Sequence, residues 1–309
     1  MKNKITVVGA GNVGATTAQR IFDKGYSDVV LIDIVDGLPQ GKALDIQESG
    51  PISGSDAQII GSNDYNTTAN SDIVVITSGI ARKPGMSRDD LLLTNMKIVT
   101  QVVKEIVSLS PNSILIPVTN PLDAMAYQAY KTSGFPSNRV VGMAGILDTS
   151  RFRTFISQEL EISVSSISTY VLGGHGDTMV PLIGQTIVGG KPIAELISAS
   201  RLEQIVQRAR DGGAEIVNYL KTGSAYYAPS ASVVQMIESI LFDKNEVLPC
   251  TAYLQGEYGA SNVYAGVPVV LGQKGVERIV EFKLTEKEKA LFEKSVDSVR
   301  ELISIMENS

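Results

Sequence analysis

Three glycines spaced as Gly9-x-Gly11-x-x-Gly14 follow a short β-branched run at residues 5–8 and open a helical stretch. In such a strand–turn–helix unit the first glycine permits a tight turn, the second lets the backbone approach a pyrophosphate, and the third lets helix and strand pack closely. The free N–H groups at the start of the helix also attract phosphate. This arrangement predicts that the chain binds a dinucleotide.

An acidic residue stands where such a site needs one. Asp33 ends the second apolar run, about 20 residues after Gly14, where a carboxylate would accept hydrogen bonds from the adenosine ribose hydroxyls. Asp36 is a nearby competitor, but it lies beyond the end of the strand. A carboxylate at position 33 would also repel a 2′-phosphate, so the sequence favours NAD over NADP.

The order of apolar runs and helical stretches indicates an α/β fold. Five apolar runs up to about residue 117 alternate with helical stretches, one of them from about Leu91 to Leu109, which predicts a parallel sheet covered on both faces. After about residue 145 helical stretches appear near 148–160, 200–221 and 230–242, between segments richer in turns. We therefore expect an N-terminal Rossmann domain, residues 1–145, and a C-terminal α+β substrate domain, residues 146–309. No linker separates them, so they should share a broad interface.

The last helix is marked by a local signal. Thr285 and Glu288 have the spacing of a capping box, in which each side chain bonds the backbone N–H at the other position. The apolar positions that follow keep the three-to-four spacing of one buried stripe. A helix is therefore predicted to begin directly after Thr285.

Composition and charge exclude several classes of protein. The net charge is −6, which disfavours a nucleic-acid binder, and the longest apolar runs, about five residues, fall short of the roughly 20 that a membrane span needs. The start of the chain resembles a strand more than a secretory signal. Cys250 is the single cysteine, which favours a reducing, cytoplasmic compartment, and we expect it to be buried. One cysteine and one histidine cannot build a structural zinc site, so no metal is expected.

The single histidine, His175, lies in the glycine-flanked segment VLGGHGD. A histidine can take or give a proton near neutral pH, as oxidation of an alcohol requires. Such a base needs an orienting carboxylate, and spacing alone leaves Asp148, Asp177 and Glu159 open as partners. The alternative is a histidine with no function on the surface or in the core.

Arginines suggest an anionic substrate. Arg82 and Arg88 lie in the polar segment SGIARKPGMSRDD, and Arg151 follows Asp148 by one helical turn. A guanidinium binds a carboxylate through two parallel hydrogen bonds, so several arginines near one site favour a carboxylate ligand. The alternative for each arginine is solvated surface charge.

Five blocks occur in a characteristic order along the chain: VVGAGNVG, ARKPGMSR, VTNPLD, LDTSRFR and GGHGD. With them the chain resembles the lactate/malate dehydrogenase family over essentially its whole length. The blocks are most similar to those of the malate-specific bacterial branch that is related to lactate dehydrogenases. The resemblance implies reversible hydride transfer between (S)-malate and NAD, giving oxaloacetate and NADH.

The resemblance also implies roles for individual residues. His175 would be the acid/base, Asp148 would stabilise its imidazolium form, and Arg151 would pair with the substrate C1 carboxylate. Arg88, on a mobile loop of residues 80–92, would polarise the C2 oxygen, and Asn120 would donate a hydrogen bond to the substrate. The cofactor-binding residues implied by the resemblance are Gly9, Gly11, Asn12, Val13, Gly14, Asp33, Val118 and Asn120.

Arg82 occupies the position that, by resemblance, discriminates between substrates. In lactate dehydrogenases, the resemblance implies a Gln at this position, which faces the methyl group of pyruvate. An arginine there would instead pair with the second carboxylate of oxaloacetate. The alternatives are a lactate or other 2-hydroxyacid dehydrogenase and, more remotely, an NAD(H)-binding sensor without enzymatic activity. Tyr127 and Lys131 match a YxxxK pattern of short-chain dehydrogenases, but the glycine spacing differs, so we interpret the pair as helix surface.

The resemblance further implies a homo-oligomer, with a tetramer favoured over a dimer. It implies a place in the tricarboxylic acid cycle, with a small dicarboxylate as the partner and neither nucleic acid nor membrane.

Overall fold

The structure is a computed structural model that describes residues 3–81 and 85–309. Arg82, the residue expected to select the substrate, lies outside the described residues.

The N-terminal half alternates strands and helices in the order that the sequence predicts. Its strands are β1 (Asn3–Val8), β2 (Ser27–Ile32), β3 (Ile59–Ser62), β4 (Ile73–Ile76) and β5 (Ile114–Pro117). Its helices are α1 (Asn12–Lys24), α2 (Leu38–Ser53), α3 (Arg88–Leu109) and α4 (Leu122–Ser133).

The five strands form one parallel sheet in the order β3-β2-β1-β4-β5. Ile5 in β1 pairs with Val29 on one side and with Ile73 on the other, so β1 is central. The chain reverses direction across the sheet after β3, and such a switch point leaves a crevice at the carboxyl ends of the strands. The predicted doubly wound sheet is therefore confirmed.

Helix α3 begins earlier than the apolar pattern predicts. Its first residue is Arg88 rather than a residue near Leu91, because Ser87 caps the helix. The Ser87 hydroxyl accepts a hydrogen bond from the backbone of Asp90, and the Asp90 carboxylate accepts one from the backbone of Ser87, each at 3.0 Å. Arg88 is therefore the first residue of a helix and not part of a loop.

The C-terminal half contains helices α5 (Gly145–Leu160), α6 (Ala199–Leu220), α7 (Tyr227–Leu241) and α8 (Glu286–Glu307). Its short strands are β6 (Ile167–Ser168), β7 (Val171–Leu172), β8 (Val180–Pro181), β9 (Ile187–Val188) and β10 (Lys191–Pro192). Its longer strands are β11 (Glu246–Gln255), β12 (Ser261–Gly272) and β13 (Gly275–Ile279), which form an antiparallel sheet. Helix α8 begins after Thr285 with the predicted capping box.

The two halves share one hydrophobic core. The largest apolar cluster runs from Ile5 in β1 to Met306 in α8. Backbone hydrogen bonds of 2.9 Å join Gly142 to Thr251 in both directions, and the hydroxyl of Ser230 in α7 donates to the carbonyl of Val13 in α1. The interface is broad, as expected, whereas the exact boundary near residue 145 stays a prediction.

Two further observations concern the single cysteine and the hydropathy of the helices. Cys250 is fully buried in β11, as expected, and burial raises the pKa of its thiol. Among the helices that the structure describes, none is both long and apolar enough to cross a membrane.

Candidate active site

The glycine turn after β1 is crowded at its first and third glycines. Gly9 has φ of +105°, and a Cβ there would lie 2.6 Å from Oγ1 of Thr77. A Cβ on Gly14 would lie 1.8 Å from the carbonyl oxygen of Gly9. Neither position can carry a side chain without moving the backbone, so the turn and the helix–strand contact both depend on glycine.

Gly11 is different, because the space beside it is open. A Cβ built on Gly11 meets no atom within 4 Å, and no side chain caps the start of α1. Asn12 follows as an exposed residue, and Val13 is half-buried. An uncapped helix start beside open space fits the pyrophosphate of a dinucleotide, since its N–H groups are free to bind the anion.

Asp33 lies at the end of β2 against the same turn. Its Oδ2 accepts the backbone N–H of Ala10 at 2.6 Å, and its Oδ1 accepts that of Val35 at 3.0 Å. Each carboxylate oxygen has two lone pairs, so the group can accept further hydrogen bonds from ribose hydroxyls. Asp36, the competitor, is exposed beyond the strand.

Three charged side chains meet at the start of α5. The Nδ1 atom of His175 lies 2.9 Å from Oδ2 of Asp148, and Nη1 of Arg151 lies 3.5 Å from Oδ1 of the same carboxylate. The exposed fractions of these side chains are 15% for His175, 13% for Arg151 and 2% for Asp148. Helix α5 places Asp148 and Arg151 on one face because they are three residues apart.

The environment of His175 favours its protonated form. Burial lowers the pKa of the imidazole, but the negative charge of Asp148 and the hydrogen bond to it raise that pKa by more. Arg151 lowers the pKa, and Asp123 raises it. The net pKa lies above the usual value for histidine.

The imidazole of His175 bonds neither of the other two candidate partners. Glu159 binds Arg201 through two hydrogen bonds of 2.7 and 2.9 Å. Asp177 is an exposed residue two positions after His175, and Asp148 makes the contact with the imidazole.

A cavity of about 380 Å³ lies beside His175 and Arg151. Three other predicted site residues line it, Asn120 together with Val13 and Val118. It therefore borders both the glycine turn and the charged cluster. A larger cavity of about 560 Å³ between α3, α4 and α8 is lined by none of the predicted site residues, so size alone does not select the site.

Helices α6 and α7 supply a part of the cavity that the sequence does not predict. Arg210, Asp211, Gly213, Ala214 and Val217 line it from α6 and Pro229 lines it from α7. A Cβ on Gly212 would lie 3.1 Å from Cδ of Arg151, so this glycine lets α6 pack against the arginine. Two adjacent glycines inside a helical stretch were the only local sign of this contact.

The structure does not bring Arg88 into the cavity. Its side chain is exposed at the start of α3, and it is not among the residues that line the cavity. Arg82 precedes it in the segment that lies outside the described residues. The roles of Arg82 and Arg88 are therefore those that the resemblance in sequence implies.

Fold and site together define a dinucleotide-binding protein with a histidine–carboxylate pair and an arginine in one cavity. Models of the lactate/malate dehydrogenase family match the chain, with the NAD-binding domain at residues 3–142 and the alpha/beta C-terminal domain at residues 146–308. The chain belongs to the lactate/malate dehydrogenase family.

Individual relatives are similar over nearly their whole length. A malate dehydrogenase from Heliobacterium modesticaldum is 59% identical over 98% of this chain and 98% of that protein. A malate dehydrogenase structure from Cryptosporidium parvum has a TM-score of 0.97 and 44% identity, covering 100% of both chains. A lactate dehydrogenase from the same organism, complexed with lactic acid and the cofactor, also has a TM-score of 0.97, at 42% identity, and covers 100% of this chain and 99% of that one. The fold alone therefore does not separate the two activities.

Proposed function

We propose that this protein is an NAD-dependent malate dehydrogenase, which interconverts (S)-malate and oxaloacetate. The observation that carries the proposal is the hydrogen bond between His175 and Asp148 beside Arg151, in a cavity that also touches the glycine turn. Oxidation of a hydroxy acid requires a base that is oriented by a carboxylate, and a cation that binds the carboxylate of the substrate.

His175 is the acid/base. With Nδ1 bonded to Asp148, Nε2 is the atom that exchanges a proton with the substrate. During malate oxidation Nε2 takes the hydroxyl proton, and Asp148 stabilises the imidazolium that forms. During oxaloacetate reduction the protonated imidazole returns that proton to the C2 oxygen.

Arg151 and Asn120 orient the substrate. Arg151 is largely buried, so its guanidinium binds the C1 carboxylate in an environment where charge pairing is stronger than in water. Asn120 lines the same cavity and donates a hydrogen bond from its amide. Together they hold C2 within reach of His175.

NAD is held by the glycine turn and the residues around it. Bound NAD supplies the hydride acceptor, and NADH supplies the hydride in reverse. Gly9, Gly11 and Gly14 shape the pyrophosphate site, with Asn12 beside it, and Asp33 binds the ribose. Val13 and Val118 border the cavity from the cofactor side.

Malate is favoured over lactate for two reasons. The relative at 59% identity is a malate dehydrogenase, and Arg82 supplies a second cation for a substrate with two carboxylates. Arg88 polarises the C2 oxygen when the segment around it closes. Pyruvate would leave Arg82 without a partner, which costs roughly 2–5 kcal/mol once the site excludes water.

We also infer the setting of the enzyme. The two domains meet near residue 145, and the protein works in the cytoplasm, in the tricarboxylic acid cycle. It assembles as a homo-oligomer, with a tetramer favoured over a dimer. Apolar side chains that are exposed on α2, α6 and α7 support an interface between subunits: Leu44, Ile52, Tyr219 and Tyr227.

The test is a comparison of initial rates with NADH and three 2-oxo acids: oxaloacetate, pyruvate and 2-oxoglutarate. Oxaloacetate should be reduced far faster than the other two, and NADPH should replace NADH poorly. Preferential turnover of pyruvate would instead support the lactate dehydrogenase alternative. NADH binding without turnover of any of the three acids would support the sensor.

A further inference from the structure

Asp123 is a buried carboxylate without a role in the mechanism above. It is the second residue of α4 and ends the block VTNPLD, three residues after Asn120. Only 5% of its surface is exposed. A carboxylate is rarely buried to this degree unless its oxygens have specific partners, so its contacts indicate its purpose.

Both oxygens of Asp123 accept hydrogen bonds from the C-terminal half. Oδ1 accepts the hydroxyl of Thr251 in β11 at 2.6 Å, and Oδ2 accepts the backbone N–H of His175 at 3.0 Å. Thr251 is itself fixed, since it is fully buried and pairs through its backbone with Gly142. Asp123 of α4 therefore holds the backbone N–H of His175 with one oxygen, while Thr251 of β11 satisfies the other oxygen.

The segment around His175 needs such a connection. Gly173 and Gly176 both have positive φ, at +81° and +93°, and Gly174 lies between Gly173 and His175. Glycines leave a backbone freer than other residues do. Outside the segment, Ser295 of α8 accepts the N–H of Gly174 at 2.6 Å, and Asp123 accepts that of His175.

The ring and the backbone of His175 are thus held by different carboxylates. Asp148 of α5 bonds Nδ1 of the ring, whereas Asp123 of α4 bonds the main-chain N–H. We propose that Asp123 is a positioning residue for His175, which fixes the backbone from which the imidazole reaches the substrate. This inference rests on the proposed role of His175 as the acid/base.

The groups around Asp123 indicate that it acts through hydrogen bonds and does not exchange a proton. The charged groups that act on Asp123 are His175 and Asp148, while β11 and α8 present the neutral hydroxyls of Thr251 and Ser295. Burial raises the pKa of Asp123. Its two oxygens already have partners, so the group contributes two fixed hydrogen bonds rather than a proton.

The experiment compares Asp123→Asn with Asp123→Ala. Asparagine can accept the N–H of His175 with its oxygen and donate to Thr251 with its amide, so it keeps both connections without the charge. We expect kcat for oxaloacetate reduction to stay within about 3-fold of the wild type in Asp123→Asn. In Asp123→Ala it should fall by about 100-fold or more, because displacing a catalytic group by about 1 Å has an effect of that size.

NADH binding, followed by fluorescence titration, shows whether each variant is folded. The dissociation constant should be unchanged in both variants, so that the loss appears in kcat. Asp123→Leu, which fills the volume, replaces the alanine variant if that variant does not bind NADH.

Thr251→Val is the matched control, since it removes the other donor to the same carboxylate but leaves the bond to His175. It should lower stability while retaining most of kcat. Equal loss of kcat in Thr251→Val and Asp123→Ala would mean that Asp123 only stabilises the fold, and the proposal would be wrong. A kcat in Asp123→Asn as low as in Asp123→Ala would overturn it as well.

These outcomes are separate from a failure of the proposed function. If the wild type reduces pyruvate instead of oxaloacetate, the substrate assignment fails, but the same variants can be compared with pyruvate. The positioning role then depends only on the ratios between variants.

Discussion

The side-chain amide of Asn95 donates a hydrogen bond of 2.7 Å to the backbone carbonyl of Asn120. Asn95 lies in α3, is 1% exposed, and also bonds both backbone groups of Ile80, at 2.9 and 3.2 Å. One buried side chain therefore connects the start of the segment that carries Arg82 to the substrate-binding residue Asn120. Neither of these connections can be seen in the sequence blocks, since Asn95 lies in none of them.

Asn95→Ala should weaken both the fold and substrate binding. It removes three partly buried hydrogen bonds, two to the backbone of Ile80 and one to that of Asn120, which should lower the free energy of unfolding by about 1–3 kcal/mol. The KM for oxaloacetate should rise by more than the Kd for NADH, because Asn120 contacts both ligands in the proposed site. Urea denaturation and steady-state kinetics measure these effects, with the exposed Asn112→Ala as control. An unchanged KM together with the lower stability would restrict Asn95 to a role in folding.

Alanine at Gly11 and alanine at Gly14 should differ in their effect on stability. The Cβ of Gly11→Ala enters open space, so the fold should persist while the methyl group blocks the pyrophosphate and the Kd for NADH rises at least tenfold. The Cβ of Gly14→Ala overlaps the carbonyl of Gly9, so this variant should lose stability as well. Thermal unfolding and NADH titration separate the two effects. If Gly11→Ala bound NADH normally, the pyrophosphate would have to lie elsewhere.

The raised pKa of His175 sets the pH dependence. Oxaloacetate reduction needs the protonated imidazole, so kcat/KM should be constant at low pH and fall as the pH rises through the raised pKa. Malate oxidation needs the neutral imidazole and should rise over the same range. Asp148→Asn removes the charge that raises the pKa, so the midpoint should move to lower pH and kcat should fall by about 10²- to 10⁴-fold. A midpoint that does not move in Asp148→Asn would require another source for the raised pKa.

The fold could be predicted from the sequence where the signals are local. Apolar runs such as residues 29–32 mark buried strands, and the Thr285–Glu288 box marks the start of α8. The start of α3 lies before the apolar run at Leu91, because Ser87 and Asp90 form its capping box within a polar segment. The apolar pattern marks the buried part of α3 but not its exposed first turn.

The site residues that could be predicted are those that lie in motifs or that the resemblance implies. The sequence offers Asp148, Glu159 and Asp177 as possible partners of His175, and their spacing excludes none of them. Asp123 and Asn95 act through contacts with distant elements, and a sequence does not state which elements pack together. The only local indication of a role for Asp123 or Asn95 is that each is a polar residue within an apolar helical stretch.

Arg82→Gln tests the substrate assignment, which depends on the sequence because this arginine lies outside the described residues. Losing a guanidinium that pairs with the second carboxylate should lower kcat/KM for oxaloacetate by roughly 30- to several-thousand-fold, equivalent to 2–5 kcal/mol. Some activity with pyruvate should appear. The exposed Arg278→Gln is the control for loss of charge. Unchanged turnover of oxaloacetate in Arg82→Gln would remove the argument for malate specificity.

Gly212→Ala should affect the substrate and not the cofactor. Alanine inside α6 would by itself favour the helix by up to about 1 kcal/mol. Its methyl group, however, would lie 3.1 Å from Cδ of Arg151, so the Arg151 side chain has to shift slightly, and its guanidinium with it. We expect kcat/KM for oxaloacetate to fall at least tenfold, since small displacements of a substrate-binding group have large effects. The Kd for NADH should stay the same.

Gly41→Ala in α2 is the matched control, because a Cβ there meets nothing within 4 Å. It should raise the thermal stability slightly and leave the kinetics unchanged. If Gly212→Ala behaved in the same way, α6 would have room to move away from Arg151, and the contact would not determine how the carboxylate binds.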